Sequence, residues 1–89
     1  MLNIRYQGLM LVLSRSAASE LLKLGLMIED CKDILEQEYA ARKRAKGTIE
    51  KWMDCGKKTY NVVVVKSYNF TYDEEIYLIT HIGRFTRLK

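Results

Sequence analysis

The sequence has no proline, one histidine and two cysteines among its 89 residues. Cys31 and Cys55 form no CxxC motif, so the spacing predicts neither a metal knuckle nor a redox motif, and reduced thiols are expected. One histidine and two separated cysteines are too few for a structural zinc site. We therefore expect neither a metal nor a cofactor.

Long apolar runs and strong catalytic motifs are missing as well. There is no P-loop, no glycine-rich dinucleotide fingerprint, no GxSxG and no HExxH. The apolar run after Gly8 is five residues long, too short for a signal peptide or a membrane span. We expect a soluble cytoplasmic protein without membrane attachment. Because repeats, low-complexity tracts and linkers are absent, residues 1–89 should form one domain.

Positive charge is present in excess and is unevenly placed. The chain carries 15 Lys and Arg against 11 Asp and Glu, a net charge of +4. Residues 42–66 hold eight of these cations against Glu50 and Asp54. Such a cluster can bind phosphates or an acidic partner, or it can be a solvated surface that keeps a small domain soluble.

The N-terminal third reads as strand followed by two helices. Asn3–Tyr6 and Leu9–Leu13 are strand-like, and Gln7-Gly8 between them is either a hairpin turn or a kink in one strand. Ser14 and Ser16 offer capping hydroxyls to the first helix, which Gly25 should end. The predicted apolar positions of that helix are Ala18, Leu21, Leu22 and Gly25. Those of the second helix are Ile28, Cys31, Ile34 and Leu35.

The C-terminal half reads as strands. Thr59–Ser67 contains an unbroken valine run that predicts a central strand covered on both sides, and Ile76–Ile82 follows after a polar turn. Residues 48–53 alternate like a strand, although Thr48 could equally cap a short helix; the strand is preferred because Gly56 then provides a hairpin turn. The predicted fold is α+β, with two N-terminal helices on one face of a small antiparallel β-sheet in the order β-α-α-β-β-β.

The period of two in the last strand assigns its residues to two faces. Ile76, Leu78 and Ile82 should face the helices, while Tyr77 and His81 should face solvent or a partner.

Histidine is the residue type that exchanges protons near neutral pH, and His81 lies close to Arg84 and Arg87. Cleavage of a phosphodiester by an internal 2′-hydroxyl requires such an acid or base beside a cation, and requires no metal. The alternative is a strand histidine that packs against Phe85 or hydrogen-bonds a neighbour.

Aromatic residues interleave with the cations. The aromatic residues are Trp52, Tyr60, Tyr68, Tyr72 and Tyr77, and the cations are Lys51, Lys57, Lys58 and Lys66. This combination is typical of surfaces that stack single-stranded RNA. Aromatic side chains are also good strand formers, so the pattern alone leaves both interpretations open.

The segment from Leu13 to Glu36 resembles the opening of domain-of-unknown-function family 4258, in which a strand ends in Ser-x-His-Ala and x-Gly-Ile-Ser leads into a second helix. Val62–Val65 and Ile79-Thr80 resemble its final hairpin. That family is similar to the RelE/ParE and BrnT toxins, small basic α+β proteins of which some cleave RNA on the ribosome and are held inactive by an antitoxin. Ser16 stands where the family has its histidine, so no catalytic role is carried over to it; Met27 stands where a capping Ser or Thr is expected.

These observations lead to one main hypothesis and one alternative. The first is a RelE-like, toxin-like protein that interacts with RNA or the ribosome as a metal-independent ribonuclease, partnered by an acidic antitoxin-like protein. Its candidate catalytic residues are His81, Arg84 and Tyr77. Its candidate RNA-binding residues are Arg42, Arg44, Lys57 and Lys58. The alternative is a non-enzymatic interaction module that forms a homodimer or binds an acidic protein through the open face of the sheet.

Overall fold

The structure is a computed structural model that describes residues 4–36 and 47–86. These residues form an α+β fold of two helices and a five-stranded mixed sheet. In chain order the elements are β1 (Arg5–Tyr6), β2 (Leu9–Leu13), α1 (Arg15–Leu24), α2 (Ile28–Leu35), β3 (Thr48–Cys55), β4 (Lys58–Asn69) and β5 (Glu74–Phe85). The strands lie in the order β1-β2-β5-β4-β3. Neither described helix is long and apolar enough to cross a bilayer.

The N-terminal strands form a hairpin and make the sheet mixed. Gln7 and Gly8 both have positive φ, 52° and 82°, as a two-residue hairpin turn requires, so the chain folds back at this point. β1 is antiparallel to β2, but β2 runs parallel to β5. The predicted all-antiparallel sheet is therefore wrong. A parallel neighbour arises because α1, α2, β3 and β4 intervene between β2 and β5 and return the chain in the same direction.

Both helices begin on local signals, and α1 also ends on one. The Ser14 hydroxyl accepts a hydrogen bond from the Ala17 N–H at 3.1 Å, and Gly25 ends α1 with φ 67°. Both features were predicted. The Met27 side chain makes no capping hydrogen bond, and the Asp30 carboxylate instead accepts the Met27 N–H at 2.8 Å. This bond satisfies a backbone donor at the start of α2.

The helices pack on one face of the sheet and form the core with it. The buried core residues are Tyr6, Leu11, Ala17, Cys31, Ile34, Leu35, Val62, Val64, Tyr77, Ile79 and Ile82. The predicted apolar face of α2 is confirmed. That of α1 is shifted: Ala17, Leu21 and Leu24 pack inward, whereas Leu22 is 81% exposed.

The strand predicted at residues 48–53 is confirmed as part of β3. Its hairpin with β4 turns at Gly56, which has φ 65° as predicted. β4 lies in the interior of the sheet, between β3 and β5, although the middle strand of the five is β5.

A β-bulge in β5 reverses part of the predicted face assignment. Val63 lies opposite His81 while Val64 lies opposite Ile79, so Thr80 is an extra residue in the ladder. Ile79 and Ile82 consequently both face the helices. The prediction was right for Ile82 but wrong for Ile76 and Leu78, because alternation with a period of two holds only in an uninterrupted ladder.

Candidate active site

His81 lies just beyond the bulge, where β2 no longer covers the edge of β5. The Ser14 N–H donates to the Ile79 carbonyl at 3.0 Å, and α1 begins at the next residue. From this helix Glu20 reaches β5 with both carboxylate oxygens. Oε1 accepts the Ile82 N–H at 3.1 Å, and Oε2 lies 3.0 Å from His81 Nδ1. One carboxylate therefore fixes both the strand edge and the imidazole ring.

The Glu20 contact orients the ring while leaving it accessible. A carboxylate beside Nδ1 favours the proton on that nitrogen, which leaves Nε2 as the atom available to a ligand. The His81 side chain is 50% exposed and that of Glu20 is 31% exposed. Such a pair can carry out general acid–base chemistry, because the carboxylate holds the ring in one orientation.

A shallow groove lies beside His81. Its volume is about 470 Å³. It is lined by Glu50, Trp52, Asn61, His81, Gly83, Arg84 and Phe85. At Gly83 a β-carbon would lie 3.0 Å from His81 Nε2 and would overlap Asn61 Oδ1. The missing side chain at this position therefore lets the Asn61 amide and the His81 ring both lie close to the Gly83 backbone.

A buried carboxylate organises the polar part of this groove. Glu50 is only 4% exposed, and its Oε2 accepts hydrogen bonds from Trp52 Nε1 at 2.8 Å and from Asn61 Nδ2 at 3.3 Å. Because the Asn61 amide nitrogen faces Glu50, its oxygen faces Gly83. The Trp52 ring also meets the Phe85 ring edge-on, with centroids 5.0 Å apart. Glu50 thus holds Trp52 and Asn61 in place, and Trp52 in turn packs against Phe85.

Three of the five cations predicted to contact RNA or to take part in catalysis lie at one end of the sheet. Arg84 is exposed and lines the groove, and it also lines a second cavity with Glu20 and Lys23 on the α1 side of β5. Lys57 and Lys58 are exposed at the β3–β4 turn, and Lys58 Nζ donates to Thr86 Oγ1 at 2.8 Å. β4 starts at this turn and β5 ends beside it, so these cations lie at the same end of the sheet as Arg84. Arg42 and Arg44 lie outside the described residues.

Tyr77 does not lie beside His81. It is 4% exposed, and its hydroxyl donates to Gln7 Oε1 at 3.1 Å under the N-terminal hairpin. Its ring centroid is 5.5 Å from that of Tyr6, whose pKa is raised by burial and by the neighbouring Tyr77 and Glu36. The predicted solvent-facing placement is wrong, since the bulge puts Tyr77 and His81 on opposite faces.

Glu20 is one of three site residues that the sequence did not predict. It lies 61 positions before His81, in a helix whose acidic and basic side chains showed no motif. Asn61 and Gly83 were missed for the same reason, because only their positions in adjacent strands bring them to the ring.

Searches against protein-family models, curated proteins and solved structures find no match to this chain. Within residues 4–36 and 47–86, no three His, Cys, Asp or Glu side chains form a group that could hold a metal ion.

Proposed function

We propose that this protein is a toxin-like, RNA-interacting protein of RelE-like arrangement that cleaves RNA without a metal. The observation that carries the proposal is the Glu20 carboxylate holding the half-exposed His81 ring at a groove that Arg84 also lines. An oriented imidazole beside a cation supplies the two things that transfer of a phosphodiester to a neighbouring hydroxyl needs.

In the proposed reaction the substrate supplies its own nucleophile. His81 Nε2 takes the proton of a ribose 2′-hydroxyl, whose oxygen attacks the adjacent phosphorus. The bond from phosphorus to the 5′-oxygen breaks, and that oxygen takes a proton from water. The hydroxide that remains takes the proton from the His81 imidazolium, which restores the neutral ring. The products are a 2′,3′-cyclic phosphate and a 5′-hydroxyl, with no change of oxidation state. The Arg84 guanidinium stabilises the charge that develops on the phosphorane oxygens.

The surroundings of the groove support RNA as the substrate class. Lys57 and Lys58 are exposed at its end of the sheet and can contact phosphates on either side of the cleaved bond. Trp52 and Phe85 offer ring surfaces to a base. An acidic antitoxin-like protein would be attracted to the same cations, and a cytoplasmic location agrees with two free cysteines.

The test uses purified protein, RNA or ribosomes, and a chelator. His81→Ala should lower the cleavage rate by roughly 10² to 10⁴, the usual contribution of general acid–base catalysis.

Arg84→Ala should lower the cleavage rate more than the affinity for RNA, because the guanidinium charge acts mainly in the transition state. Glu20→Gln should lower the rate as well, whereas Glu29→Gln, which changes an exposed acid on α2 away from the groove, serves as the matched control and should not. The ends of the products should carry a cyclic phosphate.

A second candidate is the non-enzymatic interaction module, favoured by the Glu20 bond to the Ile82 backbone. In that case Glu20 and His81 have only a structural role: they satisfy the backbone N–H at the exposed edge of β5. The melting temperature would then fall in His81→Ala, and neither RNA nor ribosomes would be cut by the wild type. Either result would remove the ribonuclease proposal.

A further inference from the structure

The hairpin formed by β4 and β5 extends beyond both of its neighbours. β3 pairs with β4 only as far as Val65, and β2 pairs with β5 only from Ile76 onward. Residues 68–75, here called the hairpin tip, therefore project past the paired parts of the adjacent strands.

The hairpin tip exposes three aromatic side chains on an ordered turn. Phe70 is 88% exposed, Tyr72 67% and Tyr68 40%. The Tyr68 and Phe70 rings meet edge-on with centroids 5.0 Å apart, and the Tyr68 hydroxyl bonds to the Asp73 carboxylate. Asn69 Oδ1 accepts the N–H groups of residues 71 and 72 at 2.9 and 3.2 Å. A cluster of exposed rings on such a turn indicates a contact surface.

The charge of the hairpin tip identifies what it can contact. Asp73, Glu74 and Glu75 make the tip acidic, so it repels phosphate and is unsuited to nucleic acid. The opposite end, here called the hairpin base, exposes Lys57, Lys58 and Arg84. Eleven strand steps separate Lys58 from Asn69, about 36 Å, within a longest dimension of 44 Å. The β4–β5 hairpin thus carries patches of opposite charge at its two ends.

We propose that two copies of this chain associate side by side in opposite directions, each hairpin tip against the other's hairpin base. The three acids meet the three exposed cations, and the tip rings contact the Trp52–Phe85 pair beside them. A twofold axis satisfies both tips and both bases at once, whereas head-to-tail contact would leave one of each free and continue into a polymer. The contact uses the same cations and the same Trp52–Phe85 pair as the proposed RNA surface, so a partner copy and RNA would compete for it. The test of the dimer itself does not depend on catalysis.

Charge reversal tests the pairing. Glu74→Lys with Glu75→Lys reverses the tip, and Lys57→Glu with Lys58→Glu reverses the base. Each double variant alone should sediment as a monomer, because its tip and base then have the same sign. An equimolar mixture should restore a dimer, since both contacts are again complementary.

Phe70→Ala should weaken the wild-type dimer about tenfold or more, and added salt should weaken it too.

A matched control changes the same amount of charge elsewhere. Glu29→Lys with Glu36→Lys alters two exposed acids, one in the first turn of α2 and one at its C-terminal cap, and should dimerise like the wild type. Circular dichroism verifies that every variant is folded. The proposal is overturned if folded wild type remains monomeric at roughly 100 µM in low salt, if it forms open polymers, if the reversed pair fails to combine, or if each reversed variant still dimerises.

Discussion

At the scale of single residues, Gly83 has the clearest steric role in the groove. Its position opposite Asn61 in the ladder places a backbone without a β-carbon beside the amide and beside His81 Nε2. Any larger residue must displace the Asn61 oxygen, and Glu50 already holds the other end of that amide. The requirement for glycine is thus one of space rather than of backbone conformation.

Gly83→Ala should therefore destabilise the fold by about 1–3 kcal/mol, the usual cost of overpacking a filled site. The penalty should be smaller in an Asn61→Ala background, because the overlapping oxygen is then gone. Urea unfolding of the wild type, both single variants and the double variant measures this coupling. Equal penalties in the two backgrounds would show that the Asn61 oxygen is not the obstacle.

At the scale of elements, α2 buries an ionisable thiol against the sheet. Cys31 is 0% exposed, and burial, with a smaller contribution from Asp30, raises its pKa from 9.0 to about 12. The neutral thiol is therefore the form that the folded state accommodates.

This raised pKa predicts a loss of stability in alkali. Between about pH 9 and about pH 12 the unfolded chain releases the Cys31 proton while the folded chain keeps it, so stability is complete below pH 9 and falls as pH rises. The contribution to the slope is at most about 1.4 kcal/mol per pH unit. Urea unfolding at pH 8 and 10 should show a smaller loss for Cys31→Ala than for wild type.

The control for this experiment is Cys55→Ala, which alters the exposed thiol at the β3–β4 turn. It should lose as much stability between the two pH values as the wild type. If Cys31→Ala also keeps the wild-type loss, the alkaline dependence comes from other groups.

At the scale of the whole molecule, the two ends of the long hairpin differ in charge, and of these two ends we expect RNA to bind at the basic one. Lys57→Gln with Lys58→Gln should weaken binding of single-stranded RNA at low salt. The slope of log affinity against log salt should flatten by about 0.7 for each phosphate that the variant no longer neutralises. Lys66→Gln, roughly 26 Å along β4 from Lys58, removes a cation near the tip and should leave the slope unchanged. RNA affinity that does not depend on salt would contradict a phosphate-binding surface.

The sequence by itself determined the features that depend on neighbouring residues. The Ser14 cap, the Gly25 stop, the apolar face of α2 and the turn at Gly56 were all predicted from it. Each rests on hydrogen bonds, φ preferences or side-chain spacing within one turn or one helix, which the sequence specifies directly.

Only the tertiary structure decided which residues meet at the groove. The parallel β2–β5 pairing and the extra residue Thr80 depend on how distant strands align, and alternation along one strand contains no signal for either. The same bulge moved Tyr77 into the core and left His81 on the other face. Glu20 reaches that ring only because α1 packs across the uncovered end of β5, where a free backbone N–H and an imidazole both attract its carboxylate.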